Sequence, residues 1–357
     1  ARVTEMLATA RKESIAVGGD ATKFLVNPNF TNKLNGWSHD PQYADGAWGG
    51  TDANPCVERW NDNFNFYQDA TVPNGVYLLK VQAFYRPGDN TETAFQNYQA
   101  DPTSEEILAY IYANEMEQEV CHIGKHYYAE NLEGNCTATT FNGETVYIPN
   151  GMNSASTAFA NGDYECEVYG VVSDGHLRVG IYSTEGTASG RWTLWDNFRL
   201  TYYGKDAEVL KGILTQSIEG AKEMLADEEI FAGKEAKTAF AEAVKAAEDA
   251  VASGDGDVMF QAYIDYIAAA KDYDENVAAY VDLSNAFTEL VAATETYQES
   301  ASDKAVEKAG QLIAEVEEAL AEGAYTTAEV MAKIDEIQAA IAGLKTPKGY
   351  EDASEDN

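Results

Sequence analysis

Pro73-Asn74-Gly75-Val76-Tyr77-Leu78-Leu79-Lys80-Val81-Gln82-Ala83-Phe84-Tyr85-Arg86 decides how the first half of the chain is read. Pro-Asn-Gly is turn chemistry, and the run after it is dense in residues that favour strands, so a strand leaves a tight turn here. The same grammar recurs outward from it. Residues 163–171 (DYECEVYGV) alternate Tyr164, Cys166 and Val168 with Glu165 and Glu167, the period of two of a half-buried strand. His176–Tyr182 follows the turn Ser173-Asp174-Gly175, and Phe198–Tyr203 reads as a closing strand. Residues 107–120 (ILAYIYANEMEQEV) have the Glu and Ala of a helix, but the Tyr110/Tyr112 alternation and the central Ala-Asn predict a hairpin. Short strands separated by turns imply an antiparallel β-sandwich of the jelly-roll kind.

Composition changes near Gly204. All five Trp and fifteen of the 22 Tyr precede residue 205, whereas residues 205–357 hold 34 acidic and 12 basic residues, a charge of −22 out of −36. Apolar residues at helical spacing predict helices at Asp206–Leu225, Ala236–Val251, Val258–Ala270, Asn276–Tyr297, Asp303–Ala321 and Thr327–Leu344. AEDAVASGD…AYIDYIAAA matches VEEALAEGA…AKIDEIQAAI, with Ile264 on Ile334 and Ile267 on Ile337, a period of 70 residues. The expectation is an all-α bundle of two three-helix repeats, its Leu/Ile/Val stripes forming core and its Glu/Asp faces solvated. The predicted organisation is a short helical leader at 1–22, the β domain at 23–204, three-helix repeats at 205–273 and 274–346, and a disordered polar tail at 347–357.

The total of 357 residues fits two or three domains of roughly 100–200 residues. A net charge of −36 excludes nucleic acid as a partner, since phosphate binding requires Lys and Arg. It also argues against an anionic membrane surface, and no apolar run approaches the ~20 residues of a spanning helix. The opening ARVTEMLATARK lacks the apolar centre of a signal peptide. No GxSxG, P-loop or GxGxxG motif is present. His122 and His126 stand four apart in CHIGKH, a zinc spacing without the HExxH glutamate and interrupted by Gly124. Cys56, Cys121, Cys136 and Cys166 show no CxxC pair; they are either two disulfides of open pairing or buried thiols. Paired carboxylates for glycoside cleavage would have to come from Asp45, Asp52, Glu58, Asp62, Asp69, Glu115 and Asp196, and sequence selects no pair.

Leu25-Val26-Asn27-Pro28-Asn29-Phe30 followed by Leu34-Asn35-Gly36-Trp37, and the closing Trp195-Asp196-Asn197-Phe198-Arg199-Leu200, resemble the first and last strands of galactose-binding-like jelly rolls, the carbohydrate-binding modules. Trp60-Asn61, Phe66-Tyr67-Gln68, Ala83-Phe84-Tyr85-Arg86 and Met152…Ala158-Phe159…Gly162-Asp163-Tyr164 are similar to polysaccharide-associated surface or secreted proteins of gut Bacteroidota. The helical half resembles the three-helix "found in various architectures" modules that accompany such domains. The resemblance covers residues 24–204 most clearly. It implies a structural calcium between first and last strands, with Asp196 as a metal ligand and Thr31 where the family has glutamate; no other cofactor is implied.

A pyranose offers a C–H face that stacks on a flat ring and a rim of hydroxyls that need polar partners. Trp48 among glycines, Trp60 beside Arg59, Asn61 and Asp62, Tyr85-Arg86 at a strand end, and Trp192 after Gly190-Arg191 are therefore the candidate ligand-binding residues, with Trp37 and Trp195 assigned to the core. The expected function is non-catalytic binding of a polysaccharide or other glycan in a secreted, outer-surface or periplasmic protein that serves polysaccharide utilisation. The helices act as spacer toward neighbouring domains or surface proteins. The competing readings are an adhesive surface protein that binds a protein partner and a component of a glycoside hydrolase.

Overall fold

A computed structural model describes residues 15–42, 47–184 and 189–349. The chain divides into two compact units, Ala1–Val209 and Leu210–Asn357.

The first unit is built from two antiparallel sheets. Sheet one has the order β12 (Glu165–Val172), β6 (Gly75–Arg86), β14 (Trp192–Gly204), β4 (Asn54–Trp60), β3 (Trp48–Thr51). β1 (Gly19–Asp20) pairs with β14, and β9 (Cys121–His122) runs parallel to β6. Sheet two has the order β2 (Ser38–Asp40), β5 (Phe64–Thr71), β13 (His176–Ser183), β7 (Ala109–Ala113), β8 (Met116–Glu119). Strands β6 and β13 come from the turn-led runs of the sequence. Residues 107–120 form the hairpin β7–β8, with Asn114-Glu115 as its turn and Asn114 at φ 53°.

The two sheets meet through aromatic side chains. Phe64 of β5 stacks on Trp195 of β14 with centroids 5.0 Å apart, and Trp37 stacks on Phe66 at the same spacing. Phe30 and Phe198 close the same cluster. All but one residue of β6 is buried, because its outer side is covered too. There α2 (Met152–Ala160) brings Phe159 to 5.7 Å from Phe84. α1 (Thr91–Ala100), capped by Asn90, lies against the hairpin β10 (Cys136–Phe141) and β11 (Glu144–Pro149) through Phe95 and Phe141. A strand buried on both faces loses its alternation and reads as a continuous apolar run.

The second unit contains α3 (Ala207–Ala226), whose first turn straddles the unit boundary, α4 (Lys234–Ser253), α5 (Gly256–Tyr297), α6 (Asp303–Glu322) and α7 (Thr327–Leu344). The expected helices 258–270 and 276–297 are one helix of 42 residues. Past Gly256 that stretch contains neither Gly nor Pro, and Tyr273 and Asn276 are buried where the break was expected. The first half of α5 packs Tyr266 and Tyr273 around Phe240 of α4 and bonds Tyr266 Oη to the Ser217 carbonyl of α3 at 3.1 Å. Its second half forms a core with α6 and α7 from Tyr280, Leu283, Leu290, Leu312, Val316 and Ile337. One helix, α5, thus packs on α4 along its first half and on α6 and α7 along its second.

Of the expected leader, residues 1–14 lie outside the described residues, and Gly19–Asp20 form strand rather than helix because they pair with Thr201 and Tyr202. Of the expected tail, 350–357 lie outside; Pro347 bridges Ala301, and Lys348 bonds the Ser300 carbonyl at 3.0 Å.

Candidate functional site

Strand β13 sends Leu177, Val179 and Ile181 into the core and turns His176, Arg178, Gly180 and Tyr182 outward. Pairing with β5 on one side and β7 on the other lays out two rows across the outer face of sheet two. One row is Tyr67, Gly180, Tyr112; the next is Asn65, Tyr182, Tyr110. A third pairing sets Asp69 beside Arg178. The tyrosines are half-buried, while Asp69, Arg178, Glu117 and Glu119 around them are exposed.

The rings lie against one another. Tyr110 and Tyr182 stack with centroids 5.2 Å apart and planes 21° apart, and Tyr112 meets Tyr182 edge-on at 5.8 Å. The Arg178 guanidinium lies 4.3 Å from the Tyr67 centroid. Gly180 makes room for this: a Cβ there would stand 2.7 Å from the Tyr112 ring and 2.6 Å from the Phe66 carbonyl oxygen. Polar groups fix the edges. Tyr112 Oη donates to Asn65 Oδ1 at 2.8 Å, Tyr182 Oη donates to Glu117 Oε2 at 2.5 Å, and Arg178 grips Asp69 at 2.7 and 2.8 Å. The Arg178 bonds hold the Asp69 carboxyl below the usual carboxylate range. Burial pushes the Tyr112 phenol up to about 12, and burial with Glu117 beside it raises Tyr182. Both phenols thus stay neutral, with hydroxyls able to donate. Flat rings bordered by carboxylate, amide and guanidinium suit a ligand with an apolar face and a hydroxyl rim.

The tryptophans are placed differently. Trp60, Trp192 and Arg86 form one row across β4, β14 and β6 on the other sheet. Only Trp60 reaches solvent, at 60% exposure. Trp192 is buried and donates its indole N–H to Glu58 Oε2 at 2.7 Å. Burial raises the Glu58 carboxyl, with the Trp192 N–H opposing. Arg86 lies 5.0 Å from the Trp192 centroid, is buried, and bonds the Gly88 and Gly190 carbonyls, Thr91 Oγ1 and Asn150 Oδ1. It clamps loops together instead of facing a ligand. Tyr85 is 1% exposed and points to the opposite face. Trp48 is a half-buried strand residue whose N–H donates to the Phe30 carbonyl at 2.8 Å. Three of the five expected ligand residues are therefore turned into the fold, because indole, phenol and guanidinium carry enough apolar surface to serve as core.

Asp196 is completely buried, and neither oxygen has a hydrogen-bond partner of good geometry. Burial pushes its carboxyl up to about 8, against the opposing pull of the Asn197 N–H and the Asn54 side chain. Orphaned oxygens invite a cation, but the other donors do not follow. Thr31 Oγ1 donates to Asn29 Oδ1, and the Lys33 and Asn35 carbonyls accept from Asn27 Nδ2. Among the described residues no three His, Cys, Asp or Glu gather around one point. Thr31 therefore brings no carboxylate to Asp196, and a calcium shell of six to eight oxygens would have to rest on backbone carbonyls around it.

The remaining candidates stand apart. Asp45 lies outside the described residues. Asp62 pairs with Arg59, and Asp52 and Glu115 are exposed singly on turns. His122 is buried, accepts from the Gly124 N–H and contacts Glu105 Oε2 at 3.1 Å, whereas His126 faces Asp163. The two histidines do not share a ligand position.

Sequence reading passed over Tyr67, Tyr110, Tyr112 and Tyr182 as a site. Their alternation within each strand is visible, but the order β5–β13–β7 that aligns them joins strands far apart in the chain.

No family model and no curated protein matches the chain. Among solved structures it is similar to TmCBM61 in complex with β-1,4-galactotriose, at 15% identity over 50% of this chain and 97% of that one, with a TM-score of 0.25. It is also similar to a putative sugar-binding protein from Bacteroides thetaiotaomicron, at 14% identity over 50% of this chain and 99% of that one, TM-score 0.22. The carbohydrate-binding module TmCBM27, whose structure concerns mannan recognition, shows 11% identity over 50% and 94%, TM-score 0.21. These structural neighbours are sugar-binding modules. At such identities and TM-scores the likeness carries no argument of its own.

Proposed function

We propose that this chain is a non-catalytic glycan-binding protein, secreted or held at the cell surface, whose ligand lies on the outer face of sheet two. The observation that carries the reading is the row Tyr67–Gly180–Tyr112 beside the stacked Tyr110–Tyr182 pair. Four rings on adjacent strands, with a glycine between two of them, give a ridged platform for the C–H faces of a neutral polysaccharide. Asn65, Glu117 and the Arg178–Asp69 pair stand where sugar hydroxyls need partners. The first unit is read as a jelly-roll-like sandwich that holds this face flat. The helical unit is read as a spacer, and the exposed ring of Trp60 as a second contact point. No cofactor is required for this binding, and a calcium ion at Asp196 would serve the fold alone.

A glycan array with the intact chain tests the reading. Binding to neutral polysaccharides, lost in the Tyr112→Ala/Tyr182→Ala double variant with an unchanged circular dichroism spectrum, is the expected result. An array silent to every glycan, or binding indifferent to that double change, overturns it; capture of a protein partner without sugar then favours the adhesive alternative.

A further inference from the structure

Along one side of β6 two strands succeed each other: β12 starts at Glu165 where it pairs with Gln82, and β9 continues beside Phe84 and Tyr85. This junction brings Cys121 and Cys166 together with sulfurs 3.3 Å apart, although 45 residues separate them. The Cys121 N–H also donates to Cys166 Sγ at 3.2 Å. Lys125 places its ammonium 3.3 Å from Cys121 Sγ. Both cysteines line a surface cleft of ≈380 Å³ with His122, Lys125, Glu165 and Tyr98. All four cysteines of the chain are thiols in this structure.

We propose that Cys121 and Cys166 are a dithiol site that takes a small-molecule disulfide of the glutathione type and closes into an intramolecular disulfide. Cys121 is the attacking sulfur. The Cys166 S–H bond to it and the Lys125 ammonium lower its thiol, with burial opposing, whereas Cys166 is raised by that same bond and by burial. A thiolate, not a thiol, is the nucleophile in exchange. The Cys121 thiolate attacks one sulfur of the donor; the donor S–S bond breaks, and one donor thiolate leaves and takes up a proton. Cys166 then loses its proton and attacks Cys121 Sγ, breaking the mixed disulfide and expelling the second donor thiolate. Two protein thiols are oxidised and one donor disulfide is reduced to two thiols, so atoms and electrons balance. The product would staple the start of β9 to the start of β12 and enclose β10, β11 and α2 in one covalent loop. Cys56 is excluded by burial against Met152, and Cys136 bonds the Leu132 carbonyl, away from the pair.

The test treats the reduced, folded chain with oxidised glutathione and maps its peptides without reduction. Trypsin and Glu-C are both needed, because no Lys or Arg separates Cys136 from Cys166. The expected product is two hydrogens lighter, has a Cys121–Cys166 cross-linked peptide, and shows two alkylatable thiols in place of four. Cys166→Ser is expected to stall as a glutathione adduct on Cys121, and Cys121→Ser to take up much less. Four thiols persisting in the folded chain, a link through Cys56 or Cys136, or a Cys166→Ser chain without adduct overturns the proposal. The wild-type measurement stands even where a variant folds poorly.

Discussion

Tyr110 and Tyr182 stack on neighbouring strands, 5.2 Å between centroids, and the hydroxyl of Tyr182 is held by Glu117 on the next strand but one. The pair is pre-set, so a ligand need not order it. Tyr182→Ala removes the ring that touches both Tyr110 and Tyr112 and is expected to weaken glycan binding about tenfold, the equivalent of ~1.4 kcal/mol. Isothermal titration with the best array ligand measures it. Affinity within twofold of the parent places the ligand elsewhere.

Gly180→Ala tests the platform without deleting a ring. Its Cβ meets the Tyr112 ring and a backbone oxygen, and backbone cannot swing aside. A stability loss of roughly 1–3 kcal/mol and a displaced Tyr112 are expected. Denaturant midpoints and near-ultraviolet circular dichroism report the two effects, and an unchanged midpoint argues that Tyr112 does not cross the glycine.

Arg86 and Trp60 sit in one row yet should behave oppositely. Arg86→Met removes the guanidinium's bonds to the buried Gly190 carbonyl and Thr91 Oγ1 and to the half-buried Gly88 carbonyl, while the exposed Asn150 keeps Thr91 Oγ1 as a donor, and is expected to cost about 2–4 kcal/mol. Trp60→Ala touches a ring at 60% exposure and should leave thermal unfolding within about 2 °C. Equal losses from both changes would contradict the clamp role given to Arg86.

Asp196 gives a pH signature. Its folded carboxyl titrates near 8, above the unfolded value of ~3.9. The folded chain therefore binds more protons across that window, and stability falls as pH rises from about 4 to about 8. Asp196→Asn removes the ionisation. It should stabilise the chain by a few kcal/mol at about pH 9 and by much less at about pH 5. Stability falling in the variant at both pH values, with calcium protecting only the parent, would instead make Asp196 a calcium ligand.

How much of this was legible in sequence varies with the distance the signal spans. Turn-led strands such as 76–85 and the hairpin at 107–120 are local, and periodicity finds them. Trp37 and Trp195 are core, as expected from the resemblance of the first and last strands, and Phe30 joins them. The site was less legible, since Trp attracts notice by rarity while Tyr67, Tyr112 and Tyr182 gain meaning only through cross-strand register. Gly180 carries no sequence mark separating it from any strand glycine. Trp192 misled because a residue after Gly-Arg looks loop-borne, yet its ring is buried and its N–H has a half-buried acceptor in Glu58. In the helices, the acidic run around Asp272 and Asp274 imitates a linker, although nothing in it breaks backbone hydrogen bonding.

Asn276 sits at the middle of α5, accepting from the Gly233 N–H and donating to Thr327 Oγ1, so it ties the start of α4 to the start of α7. A single axle of about 60 Å runs past this knot with no glycine or proline beyond Gly256 to serve as a hinge. Amide exchange in the turns of α5 on either side of Asn276 should therefore slow together, as one cooperative block.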